Sequence, residues 1–256
     1  MISVNIARFL NEYFDKILVV SVPRFTDRHE RVMQRLQGIN FEFFWGADKN
    51  SIDFEKAKQD GTYDEAMTKK LQRMNKALSP GELACSLSHR YVYEAMIQNN
   101  WHKVLVLEDD VWPLMDNLSE LPTALNELHS NWDLVYLGYL RHEAITFGLL
   151  FKQFVYRIGS ALGMMKWNTT MVSHLLPKPY SPHLKKAGFH DCTHAYAISL
   201  NAAKKMSAAQ NPVVYRADDL LSATTLKGEI SSFVTVPKFF DQEDWHTGEG
   251  SSKIKE

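Results

Sequence analysis

The sequence predicts an α/β fold with a mostly parallel central sheet flanked by helices. Three observations carry this. Short apolar, often β-branched runs recur at residues 17–22, 104–107, 133–137, 194–200 and 233–236. Segments with helical start and stop signals lie between them. The run at 104–107 is wholly apolar, as a strand buried on both faces must be. Alternation of strands and helices favours right-handed parallel crossovers, and residues 1–256 read as one domain.

Residues 1–15 are weakly amphipathic and predict a short helix ahead of the first strand. That strand stops at Pro23. Asp27 is a candidate N-cap for a helix reaching about Gln37, with Gly38 as its stop. Residues 41–45 read as a second strand, and residues 46–77 are polar and mixed. Ser79-Pro80-Gly81-Glu82 is a strong helix start, with an N-cap Ser, Pro at the first helical position and Glu three residues after the cap. Leu83, Leu87, Tyr91 and Ala95 follow at a four-residue spacing, and the helix should end near Asn99-Asn100. The run at 133–137 should end at Gly138. His194 should head the next strand, with Asn201 capping the helix after it. Asp218 and Asp219 fall at the start of a further helix. The acidic, glycine-containing tail after the last strand is expected to be mobile.

The 256 residues carry 29 Lys plus Arg against 30 Asp plus Glu, with 45% apolar residues. This excludes a disordered chain and a basic protein that coats nucleic acid. Cys85 and Cys192 are too few for a disulfide framework and are expected as small buried hydrophobes in a reducing compartment. No charged segment followed by a long apolar run opens the sequence, so no signal peptide is expected. No run reaches the roughly 18 apolar residues of a membrane span. The sequons at Asn117 and Asn168 read as chance. No G-x-G-x-x-G follows the first strand, which argues against a dinucleotide enzyme.

Glu108-Asp109-Asp110 directly after a buried strand is the most informative tripeptide. Adjacent carboxylates repel one another unless a cation relieves them. Ligands of open α/β sheets bind at the carboxyl ends of strands, and hard oxygen donors suit Mg²⁺ or Mn²⁺. A solvated acidic turn would leave the same trace. Arg24 and Arg28 follow the first strand, where a diphosphate would dock, though Arg28 also fits a solvated helix face. Glu82 is explained by the capping box. Ser88-His89 inside a helix fits either contact with a donor substrate or a satisfied core pair. His194 fits a ligand or a packed, hydrogen-bonded residue.

Residues 78–89, Leu-Ser-Pro-Gly-Glu-Leu-Ala-Cys-Ser-Leu-Ser-His, resemble the LSxGEIGCxLSH segment of glycosyltransferase family 25. That family holds bacterial lipooligosaccharide galactosyltransferases and collagen galactosyltransferases. Its LEDD is matched at 107–110, its WDxxxLG at 132–138 and its HAYxIS at 194–199. Its PxD is approximated between Pro212 and Asp218-Asp219. Ala84 stands where the family has Gly, residues 21–24 depart from its usual Asn-Leu turn, and the spacing from Pro212 is long. The resemblance implies a GT-A-like, inverting, nucleotide-sugar-dependent transferase, with galactose from UDP-galactose as the sugar. It implies Glu108, Asp110 and His194 as ligands of Mn²⁺ or Mg²⁺, and Asp109 near the ribose or the metal's water. Ser21, Arg24, Arg28, Ser88 and His89 would bind the donor, and Asp218 or Asp219 would be the base. A nucleotidyltransferase or phosphohydrolase, or an inactive binding module, are the competing expectations.

Residues 141–190 carry seven Lys or Arg and one acid, a local charge of +6, mixed with aromatic residues. The region at about 139–190 reads as a basic, aromatic insertion that meets a glycan or glycolipid acceptor, with peripheral membrane contact through 145–190. Lys152, Arg157 and Lys166 are its candidate cations; an ordinary helical insertion with a solvated basic face is the alternative. The expected location is the cytoplasm, with peripheral contact at the inner face of a membrane.

Overall fold

A computed structural model describes residues 1–72, 75–142 and 144–244. The run at 233–236 is not the last strand, and the first part of the expected mobile tail is held: residues 240–242 pair with 111–113, and Phe239 and Phe240 are buried. The rest of the tail, residues 245–256, lies outside the described residues. Helix α1 (Val4–Tyr13) precedes β1 (Lys16–Ser21), α2 (Thr26–Arg35) and β2 (Glu42–Trp45). Two short helices, α3 (Phe54–Gln59) and α4 (Glu65–Leu71), lead to the long α5 (Pro80–Asn99). Then come β3 (Lys103–Glu108), β4 (Val111–Pro113), α6 (Leu121–Asn126) and β5 (Leu134–Leu140). The stretch after β5 forms α7 (Phe147–Ala161), α8 (Thr169–Ser173), β6 (Lys178–Ser181) and β7 (Leu184–Lys186). The chain continues through β8 (Asp191–Ser199), α9 (Leu200–Ala209), α10 (Ala217–Lys227), β9 (Ser232–Thr235) and β10 (Phe240–Gln242).

Eight strands form one sheet in the order β2-β1-β3-β8-β5-β9-β7-β6, and β4 pairs with β10 beside it. Strand periodicity divides the core between two faces. Leu105, Leu107, Val135 and Leu137 point toward the helices α1, α2 and α6. Val104, Val106, Leu134 and Tyr136 point toward α5, α9 and α10. The double burial predicted for residues 104–107 is therefore present.

The sheet is mixed, which corrects the expectation of a mostly parallel one. The β1–β2, β1–β3 and β5–β9 pairs are parallel, whereas β3–β8, β5–β8, β7–β9 and β6–β7 are antiparallel. A strand covered on both faces is apolar throughout, so its sequence carries no sign of direction. The run beginning at His194 reads alike either way. The consequence is functional: β1, β2, β3 and β5 end at the same sheet edge at which β8 begins.

Local expectations divide in an instructive way. The capping box at Ser79 and Glu82 is present, with both reciprocal bonds. Leu83 and Leu87 are buried, but Tyr91 is exposed and the buried face continues through Val92, Tyr93 and Met96. A strict four-residue step advances about 40° per repeat around a helix, so it drifts off the core face. Asp27 does not cap α2; it lies in the first turn and pairs with Arg31. Ser199, not Asn201, caps α9, and the Asn201 amide donates to Asp133 instead. The second half of the region expected as an insertion joins the sheet as the edge hairpin β6–β7.

Gly138 does not end its strand. β5 continues to Leu140 through a register shift at Gly138, because this position must lack a side chain. A Cβ there would meet His194 Nε2 at 2.3 Å and the Phe240 carbonyl at 2.7 Å. Gly138→Ala should therefore destabilise the fold by about 1–3 kcal/mol, the usual cost of overpacking a filled core, read as a lower urea midpoint. An unchanged midpoint would refute the close packing of His194.

Candidate active site

An open cleft lies at this sheet edge. The end of β1, the start of α2, the loop after β2, the first turns of α5 and the end of β3 line it. Of the residues singled out in the sequence, Ser21, Arg24, Arg28, Ser88, His89, Glu108, Asp109 and Asp110 all line it. His194, Asp218 and Asp219 are not among its lining residues.

The three carboxylates face different partners. Asp109 is buried and fully engaged: Ser21 Oγ donates to its Oδ2 at 2.5 Å, and the Arg28 guanidinium pairs with its Oδ1. Its main role is to tie the end of β3 to β1 and α2. Glu108 turns toward β8, where its Oε1 accepts from the Thr193 hydroxyl and lies 3.3 Å from His89 Nε2. Burial alone would raise the Glu108 pKa, but the His89 and Thr193 contacts outweigh it and hold the group below the ordinary carboxylate range. Asp110 has no such partner. Its buried Oδ1 lacks a hydrogen bond among the described residues. Burial, with repulsion from Glu108 and Asp109, pushes its pKa up to about 8.

A cation would relieve that orphaned oxygen. Glu108 and Asp110 therefore fit a hard divalent ion entering from the cleft. His194 sits elsewhere. It lies within β8, not at its head, is fully buried against Gly138, and among the described residues makes no hydrogen bond through either ring nitrogen. Burial lowers its pKa, with Glu108 and Asp241 opposing. The donor atoms of Cys85, His89 and Glu108 do lie within 4.8 Å of one another. Burial and the surrounding carboxylates push the Cys85 thiol well up, however, and a neutral thiol is a poor ligand for Mg²⁺ or Mn²⁺.

The remaining lining residues are mostly braced by neighbours. His89 Nδ1 meets the Tyr196 hydroxyl at 2.8 Å. Ser88 Oγ donates to the Ala84 carbonyl and accepts from the Ala47 backbone N–H at 2.9 Å. Gly46 is required there, since a Cβ would meet Ser88 Oγ at 2.2 Å. Arg24 pairs with Asp48 at 2.7 Å while remaining 39% exposed, so it keeps access to the cleft. Ala47, Asp48 and Lys49 were missed from the sequence. The rule that ligands gather at strand ends would have found them after β2 as it found Glu108 after β3. Both cysteines are free and only partly buried, so the expectation of two core residues is corrected; each lies within the field of Glu108 and Asp218.

Asp218 and Asp219 occupy the first turn of α10 without capping it. Asp219 pairs with Arg216 at 2.7 Å. Asp218 Oδ2 accepts from the Cys192 backbone N–H at 3.4 Å, next to the Thr193 that binds Glu108. Two adjacent β8 residues thus bridge Asp218 and the acidic strand end. Burial and repulsion from Asp219 push the Asp218 pKa up to about 6, against the pull of Arg216.

The sequence profile described as Glycosyltransferase family 25 (LPS biosynthesis protein) matches residues 14–221. A cattle protein named probable inactive glycosyltransferase 25 family member 3 is 27% identical over 77% of this chain and 29% of its own length. Human procollagen galactosyltransferase 2 is 27% identical over 51% of this chain and 21% of its own. The chain thus spans less than a third of the curated relatives it matches. The apo crystal structure of mouse xyloside xylosyltransferase 1 aligns over 90% of this chain and 70% of its own, with a TM-score of 0.33 and 14% identity. At that distance the likeness carries no argument.

The orphaned carboxylate yields a stability test. Asn mimics the neutral form of Asp110, which predominates below about pH 8. Asp110→Asn should melt like wild type near pH 4, because the cost of a carboxylate raised from 3.8 to about 8 accrues as the pH climbs between those two values, where the unfolded chain ionises and the folded one does not. It should melt higher near pH 9, where the wild-type carboxylate ionises beside two others without a cation. Added Mn²⁺ should raise the wild-type melting temperature at pH 9 and leave that of the variant unmoved. Equal melting curves at both pH values, with and without Mn²⁺, would remove the case for a cation here.

Proposed function

Because this chain belongs to glycosyltransferase family 25, we propose that it is an inverting transferase moving a hexose from a nucleotide-sugar donor to a saccharide acceptor. The observation that carries this reading is the bridge at Cys192 and Thr193, which sets a carboxylate of raised pKa beside an acidic strand end. The finer assignments are a GT-A-like arrangement, UDP-galactose as donor, and an acceptor on a surface glycan such as lipooligosaccharide. Galactose is supported by the galactosyltransferase name of a relative, and the surface-glycan acceptor by the family's description. The enzyme would act in the cytoplasm at a membrane face.

Glu108 and Asp110 would hold Mn²⁺ or Mg²⁺, which when bound supplies positive charge against the departing diphosphate. Arg24, partly exposed at the mouth of the cleft, adds a guanidinium to the same task. Asp109 keeps Arg28 and Ser21 in place, so that the donor pocket is formed before the donor arrives. An acceptor hydroxyl attacking the sugar's anomeric carbon must lose a proton, and Asp218 is the group to take it. A pKa near 6 leaves it mostly ionised at neutral pH, yet more basic than an ordinary carboxylate. Asp219, committed to Arg216, supports the helix start and raises the basicity of its neighbour.

A second reading is an inactive module that still binds a nucleotide. It is favoured by the name of the cattle relative. Incubation with UDP-hexoses and Mn²⁺ separates the readings: UDP with transferred or free sugar supports the transferase, UMP supports a phosphohydrolase, and binding without turnover supports the inactive module. For the transferase, Asp218→Asn should lower turnover by about 10²–10⁴-fold, while Asp219→Asn should cost less. The wild-type rate should fall about tenfold per pH unit below about 6, as the base becomes protonated. A pH-independent rate down to pH 5, or a fully active Asp218→Asn variant, would rule Asp218 out as the base.

A further inference from the structure

Helix α7 is built inside out. It has fifteen residues and none is buried. Of the residues turned toward the protein, Leu149 is apolar and half-buried, whereas Gln153, Tyr156 and Ser160 carry polar groups. Gln153 donates to the Val172 carbonyl at 2.8 Å, Ser160 donates to the Trp167 carbonyl at 2.8 Å, and Tyr156 meets the Trp167 ring edge-on. The opposite face carries Phe147, Leu150, Phe151, Phe154, Val155 and Ile158, between 46% and 84% exposed. At about 100° per residue, these six fall within an arc of about 140°. Leu162 and Met164 extend the face beyond the helix, at 68% and 77% exposed.

On the same wheel Arg157 lies about 20° beyond one edge of the apolar arc and Lys152 about 60° beyond the other, its Nζ 5.4 Å from the centroid of the Tyr156 ring. From such flanks cations reach a charged surface while their stems lie on apolar material. The helix contains no Asp or Glu. A second copy of the same face would bring cations against cations, so the face is not self-complementary. An apolar arc flanked by basic residues and lacking acids matches the boundary between acyl chains and anionic headgroups. We infer that α7 is an interfacial helix that docks this protein on an anionic lipid bilayer, lying in the plane of the surface without crossing it. No helix among the described residues is long and apolar enough to cross a membrane.

The helix is also well placed. Its segment leaves the sheet after Leu140 and returns at Asp191, and these two residues pair with each other. Asp191 directly precedes the Cys192–Thr193 bridge. Lys166 anchors the segment to the end of α4, where it donates to the Lys69 and Gln72 carbonyls and to the Asn75 side chain. It is therefore a strut, and is withdrawn from the set of membrane-facing cations. Docking through α7 would set the cleft end of the sheet near the bilayer, where a lipid-linked acceptor is found; this last step rests on the transferase reading, whereas the docking itself does not.

The test is co-sedimentation of the full chain with vesicles of phosphatidylcholine, with and without phosphatidylglycerol. Wild type should partition onto the anionic vesicles, less so as salt is raised. Phe151→Ser/Phe154→Ser should weaken partitioning by at least about tenfold, and Lys152→Gln and Arg157→Gln by about fivefold each. All variants should keep the wild-type melting temperature, because these side chains are exposed. Absence of wild-type binding, or equal binding by the variants, would overturn the inference. So would a dimer in sedimentation velocity that Phe151→Ser/Phe154→Ser dissociates without any vesicle binding, which would assign the face to a second copy. UDP binding measured alongside keeps the outcomes apart: a protein that docks but binds no nucleotide would refute the transferase reading alone.

Discussion

Three consecutive carboxylates at the end of a strand buried on both faces cannot share one environment. Repulsion between them, with water partly excluded, requires that each be met separately. The structure meets two and leaves the third. Asp109 is answered by Arg28 and Ser21, which fixes α2 against the ends of β1 and β3. Glu108 is answered by Thr193 and His89, which fixes α5 and the start of β8. Among the described residues Asp110 is left with an unpartnered buried oxygen, and it lines the cleft.

Much of the surrounding architecture follows from supporting those answers. His89 can face Glu108 because Tyr196 holds its other nitrogen, and Tyr93 in turn meets the Tyr196 hydroxyl at 3.2 Å. The loop after β2 is drawn against α5 by the Ser88–Ala47 bond, which only a glycine at 46 permits. His194, within the field of Glu108, packs where only a glycine at 138 leaves it room. Two glycines far apart in sequence thus mark the closest approaches around one acidic site. The reversed direction of β8 serves the same end. It brings an N-terminal strand end, with Thr193 and the Cys192 N–H, to the edge where the parallel strands present their C-termini. A parallel β8 would have placed these groups at the opposite edge.

The features legible in the sequence were those whose signal is local. The capping box at Ser79 and Glu82 is a four-residue pattern with one physical meaning, and it is present. The double burial of residues 104–107 is written in their composition, and the cleft residues around Glu108 follow from a rule about strand ends. What escaped depends on partners distant in sequence. Asp27 and Asn201 are good caps by type, but Arg31 and Asp133 claim them. The direction of β8 leaves no trace in an all-apolar run. Ser88 and His89 could be assigned either to a donor or to the core; the structure gives both a packing role on the wall of the cleft. Asp218 and Asp219 are alike in sequence, and only the position of Arg216 and the Cys192 N–H separates them.

The basic segment shows the same limit from the other side. The sequence of this segment shows its basic and aromatic content, but not which face of α7 the apolar residues share or what covers it. The usual inference, that apolar means inward, fails here because the inward side is already committed through Gln153, Tyr156 and Ser160. The charge of the segment misleads in a related way. Its cations look interchangeable in a count, yet Lys166 is spent on helix-end carbonyls, Lys186 lies over the Phe233 ring in the edge hairpin, Lys152 lies over the Tyr156 ring, and Lys152 and Arg157 flank the exposed apolar arc. Near-neutrality of the whole chain therefore conceals a division of labour. The excess acid gathers at the end of β3, where it can meet a cation and a diphosphate. Two cations flank an uncovered apolar face on the connection that borders the same sheet edge.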